Sequence, residues 1–196
     1  MVNVMMITPV YLPTDWRVSE SEFMSLVQAN PDLRLELTAT GEVIAMPPTG
    51  SETSGNNIDL AGYVWLWNKQ TKLGKVFDSS GGFRLPNGAI RSPDVAWIRL
   101  ERWQSLSSDE RQGFAPLCPD FVLELLSPSD HLITVQNKMQ EYLDNGCQLG
   151  WLINSATRTT EIYRPQQNVV TIPFDQTLLG EEILPGFALN LQTLFF

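Results

Sequence analysis

Three charged residues sit where an apolar core should leave no room for them. Glu124 lies inside "PDFVLELLSPSD", among Phe121, Val122, Leu123, Leu125 and Leu126. Asp94 opens the equally apolar "DVAWI" directly after Pro93. A lone ionised carboxylate in such a run must be neutralised, paired with a cation or set at an open strand end. A salt bridge to a core arginine would satisfy Glu124 by itself. Two acids on neighbouring strands repel each other, and a hard divalent cation between them removes the repulsion. Such oxygen donors suit Mg2+ or Mn2+, magnesium being held by one or two carboxylates plus waters and substrate phosphates. Asp94 and Glu124 are the candidate metal ligands.

The third charge is Lys138, in "HLITVQNKMQEYLDNG". On a helical wheel Leu132, Val135, Met139, Tyr142 and Leu143 form the buried face, Lys138 lies at its edge, and Asn137 and Glu141 point away. An edge lysine can lay its stem along the core and aim its ammonium at the strand end that holds Glu124. A lysine that merely covers apolar surface is the plainer alternative.

The elements that must position these groups follow from local signals. "SESEFMSLVQAN" has Ser19 and Glu22 at capping-box spacing, with Phe23, Leu26 and Val27 on one helical face, and Pro31 ends that helix. "LRLELTATGEVIAM" alternates Leu33, Leu35 and Leu37 with Arg34, Glu36 and Thr38 and turns at Gly41, as a β-hairpin does. A helix is expected from about Asn57 to Thr71, with Ile58, Ala61 and Trp65 stacked on one face. Short strands follow at "KVFD" and "GFRL", then a "PNGA" turn, the strand "SPDVAWIR", and a short helix or turn at "SSDERQGF". In "FVLELLS" side chains alternate, so Glu124 shares a face with Val122 and Leu126, and apolar residues on both faces mark a central strand. Pro128 closes it, and a helix beginning near Ser129 or Asp130 runs to Asn145-Gly146, with His131 in its first turn. "LGWLIN" and "TTEIYRP" pair across "SATR", and the tail "ILPGFALNLQTLFF" packs back on the domain.

The chain has 196 residues, 43% of them hydrophobic and 18% charged, which suits one folded domain with a substantial core. The stretch "MVNVMMITPV" has no basic leader and is cut by Pro9, so neither a signal peptide nor a membrane span is expected. Cys118 and Cys147 lack CxxC partners, which argues against a zinc ribbon or disulfide framework and for reduced thiols in the cytoplasm. The net charge of −9 opposes indiscriminate polyanion binding, yet seven basic residues against three acidic ones lie between Lys69 and Arg102. His131, the sole histidine, has no neighbouring nucleophile, and no phosphate-binding glycine motif is present. The six tryptophans are read as core and interface residues.

Taken in order, "LRLELTATGEVIAMPPTGS", "GFRLPNGAIRSPDVAWI", "CPDFVLELLSPSD" and "KMQEYLDNGCQLGWLIN" followed by "TEIYRP" resemble a large bacterial family of restriction-endonuclease-like proteins in the PD-(D/E)XK nuclease superfamily. The resemblance covers nearly the whole chain. It implies an α/β restriction-endonuclease-like core, a central mixed β-sheet flanked by helices, with an N-terminal helix and β-hairpin in a single domain over 1–196. It further implies a Mg2+- or Mn2+-dependent endonuclease acting on nucleic acid, DNA foremost, with Asp94, Glu124, Lys138 and Glu36 as site residues. Lys138 would orient or help deprotonate the attacking water, and Arg84 and Arg91 are candidates to hold flanking phosphates. The superfamily sets its lysine two residues after the glutamate, where this chain has Leu126, so Lys138 would stand in from the next helix. Where family members often carry a histidine, this chain offers Asn56 and Asn57. A homodimer would suit double-strand cutting. The rival is a nuclease-fold binding or assembly module without turnover; a carboxylate-pair glycosidase ranks lower, because Lys138 has no role in it.

Overall fold

The computed structural model describes residues 16–195, so the N-terminal stretch "MVNVMMITPV" lies outside the described residues. Helix α1 (Glu20–Ala29) leads into the hairpin strands β1 (Arg34–Leu37) and β2 (Val43–Met46) and the long helix α2 (Ser51–Thr71). Strands β3 (Gly74–Asp78), β4 (Phe83–Arg84), β5 (Ile90–Arg91) and β6 (Val95–Arg99) follow. Short helices α3 (Leu100–Ser105) and α4 (Ser108–Gln112) precede β7 (Phe121–Leu126), helix α5 (Leu132–Asp144), β8 (Leu149–Asn154) and β9 (Thr159–Tyr163). The chain ends with β10 (Val170–Pro173), β11 (Thr177–Leu179), β12 (Ala188–Asn190) and a 3-10 turn.

A six-stranded sheet in the order β10-β9-β8-β7-β6-β3 forms the centre. Only β7 and β8 run parallel within it, and α5 is the crossover that such a pair requires. Alternation along β6 and β7 separates two cores. Val95, Trp97, Phe121, Leu123 and Leu125 face α2 and the C-terminal tail, through Leu60, Val64, Trp67, Phe187 and Leu191. Ala96, Ile98 and Val122 face α5, through Met139 and Tyr142. Glu124 shares the Val122 face and so points toward α5, not into the larger core. A smaller sheet, β2-β1-β5-β4, stands beside the main one and packs Leu35, Leu37 and Ile90 against Phe23 of α1. The α1 capping box between Ser19 and Glu22 is formed as its spacing requires.

Several local expectations are corrected. Helix α2 begins at Ser51 rather than near Asn57, and it buries Leu60, Val64 and Trp67 while Ile58 and Trp65 are 69% and 53% exposed. The sheet selects the face with the better shape match, and the second apolar stripe is left outward. A two-residue strand, β5, lies between the "PNGA" turn and β6, and α3 was not anticipated. Helix α5 starts at Leu132, with His131 at its N-cap and not in the first turn, and Leu132 is itself exposed. In the hairpin, Leu33 is exposed, whereas Glu36, on the side expected to face solvent, is only 2% exposed. Cys118 and Cys147 are free thiols held in the core, and burial pushes Cys118 up to about 12.

Gly74 shows how tightly α2 is tied to the sheet. Asn68 of α2 brackets it, accepting the Gly74 N–H at 3.0 Å and donating to its carbonyl at 2.9 Å, while also accepting from the Trp97 indole at 2.9 Å. A methyl group on Gly74 would collide with the Ile98 carbonyl and the Trp97 ring. Overpacking of this kind costs about 1–3 kcal/mol. Gly74→Ala should therefore shift the urea midpoint downward with an unchanged slope, and an unshifted midpoint would refute this account of the contact.

Candidate functional site

Where β6 begins and β7 ends, the main sheet opens into a cavity of about 490 Å³. The β1–β2 hairpin, the first turns of α2 and one side of α5 complete its walls, and Glu36, Asp94, Glu124 and Lys138 all line it. The structure thus brings together the four residues singled out from the sequence.

Lys138 joins three elements. Its Nζ lies 2.8 Å from Glu124 Oε1 on β7 and 2.9 Å from Glu36 Oε1 on β1. Glu124 Oε1 also accepts the Tyr142 hydroxyl at 3.0 Å. Glu36 accepts the Ser92 N–H at 2.8 Å and Arg91 Nη1 at 3.1 Å. Arg91 continues the chain of charges, donating from Nε to Glu141 Oε2 at 2.6 Å, and Asn87 donates to Glu141 Oε1 at 3.0 Å. Glu141 therefore faces the cavity wall instead of pointing away. Arg91 is committed to two carboxylates, and Arg84 pairs with Glu20 at 2.7 Å outside the cavity, so neither stands ready for a flanking phosphate. Arg34, at the rim, donates to the Ser79 carbonyl and forms no salt bridge among the described residues.

Asp94 is held differently. Its Oδ2 accepts the Leu125 N–H of β7 at 2.8 Å, and its Oδ1 accepts Asn57 Nδ2 of α2 at 3.1 Å. It makes no salt bridge among the described residues. The Leu125 contact sets Asp94 against the chain one residue beyond Glu124, so both carboxylates address the same corner. Asn57 Oδ1 is enclosed there without a hydrogen-bond partner. In the network of Glu36, Asp94, Glu124 and Glu141, four carboxylates meet two cations, Arg91 and Lys138. Arg34 at the rim, with Lys138, also acts on Asp94 through its charge without forming a salt bridge.

Burial is the first cause of the resulting shifts. It pushes Glu124 up to about 7; Lys138 opposes the rise, while Asp94 and Glu36 add to it. Asp94 is also raised by burial, with the Leu125 N–H resisting. For Glu36 burial pushes upward too, but Lys138, Arg91 and the Ser92 N–H together outweigh it and hold the carboxyl below its ordinary range. Burial would weaken the Lys138 ammonium, yet the two carboxylates beside it hold its pKa well above that of a free lysine. In this arrangement Lys138 is held as a cation and hydrogen-bond donor between the two carboxylates.

The donor set fits a hard divalent cation. Asp94 forms no salt bridge among the described residues, and the Tyr142 and Lys138 contacts of Glu124 both run to Oε1. Among the described residues no cluster of three or more His, Cys, Asp or Glu side chains could hold a metal. The fit is the two-carboxylate mode completed by water, which is the mode of Mg2+. Sequence reasoning missed Arg91 and Glu141 as wall charges and Tyr142 as a donor to Glu124. The helical wheel flagged Tyr142 only as core, because periodicity is blind to a phenol's polar tip.

A family model described as "Uma2: Putative restriction endonuclease" matches residues 20–192 of the chain. Among solved structures, the chain is similar to a protein from Anabaena variabilis described as "a putative nuclease belonging to DUF820". That likeness has a TM-score of 0.76 at 22% identity over 91% of this chain and 97% of the other. The likeness bears on fold, which is the restriction-endonuclease-like one. A comparison with curated proteins found no match.

Removing Lys138 should expose what it neutralises. Lys138→Met leaves Glu36 and Glu124 buried without that counter-charge, and breaking a buried pair costs about 3–5 kcal/mol. The loss should be largest at pH 8 and smaller at pH 5.5. Glu124 is already raised by burial and loses its main opposing charge, so its folded pKa lies above the unfolded one, and stability is regained as pH falls and it protonates. Urea titrations at the two pH values test this; an equal deficit at both would contradict it.

Proposed function

The chain belongs to the Uma2 family, and from that membership we propose that it is a divalent-cation-dependent endonuclease that hydrolyses phosphodiester bonds, with DNA as its substrate. The observation that carries the proposal is Asp94, a mostly buried carboxylate beside Glu124 with hydrogen bonds but no salt bridge. A fold seldom retains a buried acid held only by hydrogen bonds and more distant cations unless something positive completes it. The description of the Anabaena protein as a nuclease points the same way.

Asp94 and Glu124 would hold the cation. When bound, it would supply Lewis-acid stabilisation of the phosphate oxygens and lower the pKa of a coordinated water. Asp94 is oriented by the Leu125 N–H and Asn57, and Glu124 by Lys138 and the Tyr142 hydroxyl. Lys138 stays protonated and so offers charge and hydrogen bonds to the oxygens that become more negative during attack. Glu36, paired on both sides, positions Lys138 from the hairpin and has no vacancy for a reacting atom. Arg34 is the cavity cation best disposed to meet a phosphate, being at the rim and outside any carboxylate pair. The unfavourable approach of DNA to a chain of net charge −9 would be offset locally by the cation and by Arg34.

A second reading, a nuclease-fold binding or assembly module without turnover, is favoured by one observation. Lys138 fully engages one Glu124 oxygen and ties it to Glu36, so the carboxylate is half closed before any cation arrives. Calorimetry with Mg2+ and Mn2+ separates the two readings, since the module would bind neither at millimolar concentration.

The decisive experiment is cleavage of supercoiled plasmid with Mg2+ or Mn2+ added. The wild-type chain should nick or linearise it only with the cation, and Asp94→Ala and Glu124→Ala should each lose cleavage. Cleavage persisting in both variants would rule out the assignment, and cleavage confined to an RNA substrate would correct its DNA component.

A further inference from the structure

Helix α2 carries two apolar stripes. One, Leu60, Val64 and Trp67, is in the core, and the opposite one is in solvent. There Ile58 is 69% exposed, Trp65 53%, Leu66 51% and Tyr63 46%. Monomeric proteins seldom leave so many large apolar side chains adjacent on one regular element.

Two glycines lie along the same stripe. Gly55 and Gly62 are seven residues apart, two helical turns, so both fall on the outward face between Ile58, Trp65 and Leu66. A Cβ at either position would meet nothing within 4 Å. No packing within the chain requires them, yet each weakens a helix interior by roughly 0.5–1 kcal/mol relative to alanine. Glycines at heptad spacing, bordered by bulky apolar groups, form shallow seats into which the side chains of a second helix fit.

The charges identify that second helix. Glu52 and Asp59 lie in the N-terminal half of α2, and Lys69 and Lys72 at its C-terminal end, where Lys69 covers the Trp65 ring at 5.0 Å. None of the four makes a salt bridge among the described residues. Glu52 and Lys69 are about 25 Å apart along the axis and cannot meet within one helix. Two copies of α2 packed antiparallel bring Glu52 of each to Lys69 of the other and set opposing helix dipoles favourably. In that register Leu66 falls over Gly55 of the second copy, and Ile58 meets Tyr63. A patch complementary to itself about a two-fold axis is the signature of an isologous dimer.

We infer that the outward face of α2 is a self-association surface, and that a second copy of this chain occupies it in antiparallel register through Gly55, Ile58, Gly62 and Leu66. The inference does not rest on the nuclease reading. It does bear on it, because Asn57, on the flank of the same helix, contacts Asp94, so the dimer would place two cavities on either side of one helix pair.

Sedimentation velocity on the full chain across the micromolar range tests the proposal. The wild type should sediment as a dimer. Leu66→Glu and Trp65→Glu should be monomeric yet folded, with the wild-type circular-dichroism spectrum, since both side chains are already exposed within one chain. Glu52→Lys should raise the dimer dissociation constant about tenfold or more, and adding Lys69→Glu should restore it, which a merely unfolded variant could not do. A monomeric wild type overturns the proposal, as does a dimer that survives both glutamate variants. Variants that keep the dimer but lose DNA binding would also overturn it, because the face would then serve nucleic acid.

Discussion

The site depends on one ammonium group. Lys138 Nζ stands between Glu36 and Glu124, so a single charge ties the hairpin, the central strand β7 and the crossover helix α5 at one point. Each of these elements has its own packing, yet none of that packing sets their mutual distance to the accuracy of a hydrogen bond. The ion pairs do. Their geometry has to be good, because two buried carboxylates and a buried amine recover their lost hydration only when every remaining donor and acceptor is used. Tyr142, Ser92 and Arg91 supply those further contacts, and Arg91 extends them to Glu141.

Against this nearly satisfied network, Asp94 stands apart. It has directional hydrogen bonds from Leu125 and Asn57 and, among the described residues, no salt bridge, with Lys138 and Arg34 acting only from farther away. Hydrogen bonds fix where a carboxylate points; they do not remove its charge. The network keeps Glu124 from being repelled outward by Asp94 while committing its charge partner Lys138 to Oε1. Reversible cation binding, if the site performs it, requires an electrostatic imbalance of this kind. Full internal pairing would shut the ion out, and no pairing would expel one of the acids.

Much of this was legible in the sequence, for identifiable reasons. Alternation along "FVLELL" placed Glu124 on one face of a central strand, because a strand's period of two is unaffected by what packs on it. The wheel placed Lys138 at the edge of the buried face of α5, and the ionic contacts follow from that edge position. Glu36 came as a site residue only through the resemblance, because a lone hairpin has a wet face; here that face is covered by the cavity wall, which comes from residues fifty and more positions later in the chain. Glu141 was sent to solvent for the same reason, since a wheel registers only apolar partners and Arg91 is not one. The signal for Arg91 itself was present in "IRSPD", an arginine at the end of a buried strand, but its partners lie on two distant elements and no local pattern specifies them.

Helix α2 shows the limit of periodicity from the other direction. Ile58, Ala61 and Trp65 do form a stripe at helical spacing, but the chain buries the Leu60, Val64 and Trp67 side instead. Hydrophobic spacing states that a face is apolar and not what covers it. On the buried side Trp67 meets Trp97 and Phe187 edge-on, contacts that the Gly55–Gly62 side, lacking bulk at its centre, does not make. The same lack of bulk suits a helix, whose ridges need grooves. The two apolar faces of α2 are therefore not equivalent. One is buried against strands, and the other faces solvent within one chain.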